Sequence, residues 1–472
     1  MALNKAFLNV ILLGFAFMLI FTAFQTQGNI QKIILASAQE EYDDFTGDGY
    51  ISLAIIYVTF SVFNWSAPSV ISLVGPKFSM FIGAITYVGI ILTFLRPYTW
   101  TLYGMSAVVG IGAALLWTGQ GNYLTLNSSS ATISRNSGVF WAMLQASMFF
   151  GNLFVFFQFQ GKDRIDTETR VIVVTVLSVI CAGGSLVILF LPKPRNDDTE
   201  LVVNENRTAL QALKDAGKMF FTKNMLLLCV TFLYTGIELS FFSGVYGTCL
   251  GFTRKLGDIA TQLVGLHGIF IGVGEVLGGA VFGILGAKTT KCGRDPIVVG
   301  GFIVHVIAFF LIFLNLPNSS PMISNDEDAF IATNAYLALF CSFLLGLGDA
   351  CFNTQVYSIL GDVFHFDSAS AFAIFKFTQS IGAAAGFFYS SYIGLYIQLG
   401  ILLAMAVFGT VTFVLVEWSV RRRKLYFMLY SGLLQDKSKR LLLVGCIFVY
   451  IFLWLAISYI LATNLYEDSG II

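Results

Sequence analysis

The chain of 472 residues is 57% hydrophobic, 15% aromatic and only 11% charged. A water-soluble domain carries roughly 25% charged residues, so this sequence cannot cover a water-facing surface and does not read as a soluble enzyme. Formal net charge is zero, which leaves no basic field for a nucleic-acid partner.

A bilayer core of about 30 Å is crossed by about 20 apolar helical residues. Windows of that length place spans near 5–26, 51–74, 78–95, 100–126, 138–160 and 171–191. A polar stretch, 192–223, follows, and then spans near 224–248, 262–286, 297–315, 335–360, 369–395 and 398–418. The first span runs from Asn4-Lys5 into Gln25-Thr26-Gln27 without a small-residue cleavage site, so it reads as a retained helix and not a removable signal. Pro192 and Pro194 end the sixth span, and Asn196-Asp197-Asp198 continues as a solvated linker. From Thr208 to Phe221, Leu210, Leu213, Met219 and Phe220 beside Lys214 and Lys218 fit a short amphipathic helix on the membrane surface, either a strap or a binding element. A further apolar run, 441–465, follows Arg421-Arg422-Arg423-Lys424 and starts after Lys439-Arg440. It is expected to be a thirteenth span that turns the C-terminus outward. The expected organisation is therefore 1–191, a linker 192–223, 224–418, and a basic segment with an extra span, 419–472.

Lys and Arg set the orientation. With a cytosolic N-terminus, nineteen of the 27 basic residues fall on the cytosolic side. They include Lys77, Arg135, the set from Lys193 to Lys223, Lys288, Lys291, Arg294 and the cluster Arg421 to Arg440. The opposite side holds Lys32, Arg96, Lys162, Arg164, Arg170, Arg254 and Lys255, and Lys376 lies within a span. This is the positive-inside pattern.

An internal repeat joins the two groups of six spans. Phe21-Thr22-Ala23-Phe24-Gln25 matches Tyr234-Thr235-Gly236-Ile237-Glu238, and at the same offset Leu53, Ile56 and Tyr57 meet Leu266, Ile269 and Phe270. Gln145 and Gln379 occupy similar places in the fifth and eleventh spans. Both groups start on the same side, so the repeats are parallel, as in major facilitator proteins. The expected fold class is all-α, with two six-helix bundles.

Charge inside a span costs several kcal/mol in lipid, so it should face a partner or a wet cavity. Glu238 (seventh span), Glu275 (eighth), Asp349 (tenth) and Lys376 (eleventh) are the instances, all in the second group. The first group offers amides, among them Gln25, Gln120, Asn122 and Gln145. In this architecture the first, fourth, seventh and tenth spans line a central cavity, which would gather Gln25, Gln120, Glu238 and Asp349. Two readings stand: a site for a cation, a proton or a polar solute, or a buried ion-pair network that locks spans together. Lys376 lies near the cytosolic end of its span and could snorkel. The seven cysteines sit almost all in apolar runs and read as small buried residues. The three histidines, His267, His305 and His365, are far apart, so no metal site is expected, and no cofactor motif is found. Trp117 and Trp141 suit cavity lining or helix packing. Asn318-Ser319-Ser320 is the one glycosylation sequon in an outward loop, weakened by Pro321.

Several long stretches carry a family likeness: GFAFMLIFTAFQTQGN (14–29), WTGQGNYLTL (117–126), SRNSGVFWAMLQASMFFGN (134–152), YTGIELSFFSGVYGTCL (234–250), GIFIGVGEVLGG (268–279), CSFLLGLGDACFNT (341–354) and AFAIFK (371–376). Together they resemble the UNC-93-like family over about 14–418. The resemblance implies a major facilitator fold and a multi-pass membrane location. It also implies either an orphan solute carrier or, as in other branches, a protein that regulates potassium channels or traffics immune receptors. The expected partners are the lipid bilayer, a small polar solute or cation, and an ion channel or other membrane protein under the second reading. One departure concerns the loop after the second span, whose usual transporter motif is reduced to Gly75-Pro76-Lys77. Its echo in the second group is better kept, as Gly283-Ile284-Leu285-Gly286 with Lys288 and Gly293-Arg294. The run 441–465 is the other departure.

Overall fold

A bilayer interior offers the backbone no hydrogen-bonding partner, so apolar runs there must satisfy their own N–H and C=O groups as helices. The computed structural model describes residues 5–128, 133–162, 165–193, 209–364 and 368–430, and these form fifteen α-helices. They are α1 (Lys5–Glu41), α2 (Gly49–Asn64), α3 (Ala67–Val74), α4 (Pro76–Leu92), α5 (Thr99–Leu126), α6 (Ile133–Gln158), α7 (Thr167–Leu189) and α8 (Ala209–Phe220). There follow α9 (Lys223–Ser240), α10 (Tyr246–Phe252), α11 (Ala260–Cys292), α12 (Asp295–Asn315), α13 (Ala335–Val363), α14 (Ser368–Ser390) and α15 (Leu395–Tyr430). Among the described residues, ten helical segments are long and apolar enough to cross a membrane, with α9 and α10 counted as one; α2 and α4 are shorter apolar helices. The chain is thus an integral multi-pass membrane protein. The run 441–465 and most of the 192–208 linker lie outside the described residues.

Three differences from the sequence reading have local causes. First, α1 continues past Gln25-Thr26-Gln27 to Glu41. Those polar side chains meet protein and not water: Thr26, Gln27, Asn29 and Gln31 are all buried. Asn29 Nδ2 donates to Asn152 Oδ1 at 3.0 Å, and Gln31 Nε2 to the Gly49 carbonyl at 2.8 Å. Secondly, the predicted span 51–74 is two helices, broken at Trp65-Ser66. Pro68, at the start of α3, has no N–H to continue α2 and its ring would clash with the preceding turn. Gly75, at φ 81°, then closes α3 in a conformation that side chains with a Cβ resist, and Pro76 opens α4. Thirdly, one π turn, Phe241–Val245, separates α9 from α10 within a continuous helix. The amphipathic helix expected over 208–221 is α8.

Helix partners repeat between the two groups. Helix α1 packs on α6 as α9 packs on α14, α2 on α5 as α11 on α13, and α4 on α5 as α12 on α13. Two seams join the groups, α2 against α14 and α6 against α11. Missing side chains allow the closest approaches. A Cβ added to Gly236 of α9 would lie 2.0 Å from the Gln379 carbonyl oxygen of α14, and one on Gly346 of α13 would lie 2.2 Å from the Ile271 carbonyl oxygen of α11. The described residues from Val416 onward belong to a second unit and are the end of α15.

One face of the molecule carries the α1–α2, α4–α5, α6–α7, α10–α11 and α12–α13 loops. Each of the six described basic residues expected there has an acidic partner. The pairs are Lys32 with Asp48, Arg96 with Asp44 (2.9 Å), Lys162 with Asp166 (2.7 Å), Arg170 with Glu41 (2.7 Å), Arg254 with Asp326 (3.4 Å) and Lys255 with Asp328. Asp48 also bridges the two groups. As the N-cap of α2 it accepts from the N–H groups of Tyr50 and Ile51, and its Oδ1 also accepts from Ser391 Oγ at 2.9 Å. Tyr50 OH donates across the same interface to the Pro321 carbonyl at 3.0 Å, and Thr261 Oγ1 donates to the Lys162 carbonyl.

Candidate binding site

The four intramembrane charges converge from four helices. On α13, Asp349, Asn353 and Tyr357 recur every four residues and so share one face. Asp349 Oδ1 accepts from Asn353 Nδ2 at 2.6 Å. Glu238 of α9, 1% exposed, neighbours Asp349. Lys376 of α14 attracts Asp349, donates to Gln379 Oε1 at 2.9 Å, and sits over the rings of Phe375 and Tyr357 at 4.7 Å and 5.7 Å from their centroids. Its ammonium is therefore turned into the protein, and the snorkelling alternative does not describe it. Glu275 of α11, 7% exposed, repels Asp349 electrostatically and accepts from Gln145 Nε2 of α6.

That last bond carries the cluster across a seam. One turn before Gln145 on α6, Trp141 packs edge-on against Tyr357 with ring centroids 5.7 Å apart. Two contacts thus link the groups at this site, Gln145 with Glu275 and Trp141 with Tyr357, whose ring in turn faces the Lys376 ammonium. Trp141 also stacks on Trp117 of α5 at 5.9 Å, so Trp117 and Trp141 together make an aromatic wall on the first-group side.

Other expected site residues stand apart from this cluster. Gln25 is held within the first group, where its Oε1 accepts from Ser147 Oγ at 2.6 Å. On α5, Gln120 is buried and Asn122 half-buried, and the hydrogen bonds described for this cluster include neither. Asn318 is exposed, yet its Oδ1 accepts the Tyr396 N–H at 2.9 Å, capping the start of α15.

Sequence reasoning missed His305. This buried residue of α12 bonds through Nδ1 to the Tyr234 hydroxyl, and its Nε2 lies 3.1 Å from the Leu345 carbonyl and 3.5 Å from Glu238 Oε1. The ring stacks on Phe352 (5.8 Å, 9°) and Phe309 (5.5 Å, 28°). Gly348 leaves the slot for it, since a Cβ there would meet the imidazole at 2.2 Å. The available signal was spacing: Tyr234 and Glu238 lie one turn apart on α9, a pair that can flank a single imidazole.

The loop after α11 keeps its brace. Gly293, at φ 100°, turns the chain so that Arg294 reaches Asp362 of α13 at 2.9 Å and the Ser358 carbonyl at 3.1 Å.

The sequence profile described as "Ion channel regulatory protein UNC-93" matches residues 45–414. The chain belongs to the UNC-93 family. It is 45% identical to the UNC93-like protein MFSD11 of Xenopus tropicalis over 441 residues, covering 90% of this chain and 98% of that one. Identity is 28% to UNC93-like protein 3 of Arabidopsis thaliana over 84% of this chain and 83% of that one, and 25% to Protein unc-93 homolog A of Homo sapiens over 88% and 94%. Two solved structures share the fold of this UNC-93 family member. The nucleoside transporter NupG superposes with a TM-score of 0.64 at 13% identity, covering 86% of this chain and 99% of that one. The peptide transporter POT, in complex with sulfate, gives 0.61 at 12% identity over 88% and 94%. The major facilitator fold implied by the sequence resemblance is therefore the fold observed.

Proposed function

We propose that this UNC-93 family member is a solute carrier. In this reading it moves a small polar solute through a central site in which Glu238 and Asp349 bind and Glu275, Lys376 and Gln145 orient. Gln25, Gln120 and Asn122 would line the approach from the first group. The supporting observation is the pair of contacts that cross from α6 to the second group, Gln145 with Glu275 and Trp141 with Tyr357. A site shared between two bodies is what alternating access requires, because each body must release its part of the solute in turn. The bodies would be 1–191 and 224–418, with 192–223 as the cytosolic connection, a cytosolic N-terminus, and 419–472 as an added segment. Glu238 and Asp349 are carboxyl groups that can take up and release a proton, so the reading includes proton linkage. The test is uptake into vesicles containing the purified full chain, with and without an imposed proton gradient, across a panel of solutes. Glu238→Gln and Asp349→Asn should each lower gradient-driven flux at least tenfold, and unchanged flux in both variants would end the reading.

One observation favours a second reading, in which the protein regulates a channel or escorts another membrane protein. The loop after α3 retains only Gly75-Pro76-Lys77, whereas Arg294 braces its counterpart. A body with one brace missing is suited to holding a partner in a fixed state. Purification of the tagged full chain at native expression tests it: a channel or receptor subunit recovered in fixed ratio supports it, and a chain recovered alone counts against it.

A further inference from the structure

We propose that the site around Asp349 and Lys376 takes a monovalent organic cation, an alkylammonium, that exchanges places with the Lys376 ammonium. The proposal rests on the solute-carrier reading and names its substrate class.

Charge comes first. Three carboxyl groups, Glu238, Glu275 and Asp349, stand with one ammonium, Lys376. An excess of acids over bases in a buried site is relieved by a cationic guest and made worse by an anionic one. Acceptor capacity points the same way. Glu238 is 1% exposed and its Oε1 accepts no hydrogen bond.

The surroundings then select an organic cation over a metal ion. A hard metal ion requires six to eight oxygen ligands, whereas the faces presented here are rings. An ammonium is stabilised within about 6 Å of an aromatic centroid, and Lys376 Nζ already lies 4.7 Å from Phe375 and 5.7 Å from Tyr357. The protein thus holds a tethered ammonium where a free one would bind. Across from it, half-buried Trp141 packs on Tyr357 and offers an apolar surface for an alkyl tail. Lys376 acts as a competitor, and its removal has a diagnostic sign.

The test uses butylammonium, butyrate and butanol, three probes with one tail and different heads, on the purified full chain in lipid nanodiscs. Binding is read by calorimetry and by the shift in thermal unfolding. Butylammonium alone should bind, Lys376→Gln should tighten it by roughly tenfold through loss of the like charge, and Asp349→Asn should weaken it at least as much. Preferential binding of butyrate or butanol, or weaker butylammonium binding in Lys376→Gln, overturns the proposal. If either variant fails to fold, the rank order of the three probes on the parent decides alone. The two readings fail separately. Butylammonium bound but not carried into vesicles would support the cation site while removing the carrier, and gradient-driven uptake of anions only would keep the carrier and overturn the cation.

Discussion

Asp48 offers the most direct physical test of how the two groups of helices are held together. Replacing it by alanine removes three things at once: the cap on two N–H groups of α2, the ion pair with Lys32, and the acceptor for Ser391. A lost carboxylate cap costs about 1 kcal/mol, and a hydrogen bond to a charged acceptor about 1 kcal/mol or more. Lys32 keeps a position 5.0 Å from the Tyr50 ring, so losing its partner adds about 1 kcal/mol and not the cost of a stranded charge. Together Asp48→Ala should destabilise by about 3 kcal/mol and Ser391→Ala by about 1 kcal/mol. The double variant should fall about 1 kcal/mol short of additivity, because both single changes delete the same bond. Burial alone would raise the Asp48 carboxyl, but the Lys32 charge and hydrogen bond, helped by the Ile51 N–H and the Ser391 hydroxyl, hold it below the ordinary range. A lowered folded-state value means that the stabilisation is complete above about pH 4 and fades as pH falls below it. The deficit of Asp48→Ala relative to the parent should therefore shrink on acidification. Equilibrium unfolding in mild detergent at several pH values measures all of this. Strict additivity of the two alanine variants would refute the bridge between groups.

Three further outcomes follow from packing and charge. Gly236→Ala should destabilise by about 1–3 kcal/mol, because its Cβ would meet backbone 2.0 Å away and α9 must separate from α14; Gly300→Ala, with no atom within 4 Å, should leave the thermal midpoint unchanged. His305→Phe should cost about 2–4 kcal/mol by stranding the buried Tyr234 hydroxyl and removing the bond to the Leu345 carbonyl, and the loss should be smaller when made in Tyr234→Phe, as thermal unfolding of both pairs would register. Hydrogen bonds from Lys162 and then Thr169 hold the Asp166 carboxyl at about 2. The deficit of Asp166→Asn should accordingly be constant above about pH 4, shrink below it, and vanish near pH 2. A deficit that persists undiminished at pH 2 would show that Asp166 acts through something other than its charge.

Hydropathy placed the helices well because every spanning segment must satisfy its backbone internally, and that constraint is visible in composition. It placed their ends poorly where the neighbour was protein and not water. Gln25-Thr26-Gln27 looks like a helix end, yet Asn152 and the Gly49 backbone take up the polar groups that follow it on α1. The charged cluster was legible because Glu238, Glu275, Asp349 and Lys376 are anomalies in apolar runs. Its connectivity was not, since the Gln145–Glu275 bond joins positions 130 residues apart that only the packing of α6 on α11 brings together. His305 was invisible for another reason: one histidine in an apolar span has many uses, and only the slot beside Gly348 reveals this one. The same limit applies to Gln25, whose place in the repeat suggested the site and whose partner is Ser147.

The π turn at Phe241–Val245 inserts one surplus residue into an otherwise regular helix. On an ordinary α-helix one extra residue would swivel everything beyond it by about 100°, but a π turn takes up that residue as a bulge. Tyr246–Phe252 therefore points as it would on a helix one residue shorter. Deleting any one residue between 241 and 245 would restore an ordinary turn and leave the same side chains facing α1 and α11. Length and aim are thereby uncoupled at this point: an indel that elsewhere in a spanning helix would re-aim its outer end is absorbed here, and the packing on either side of the bulge is kept.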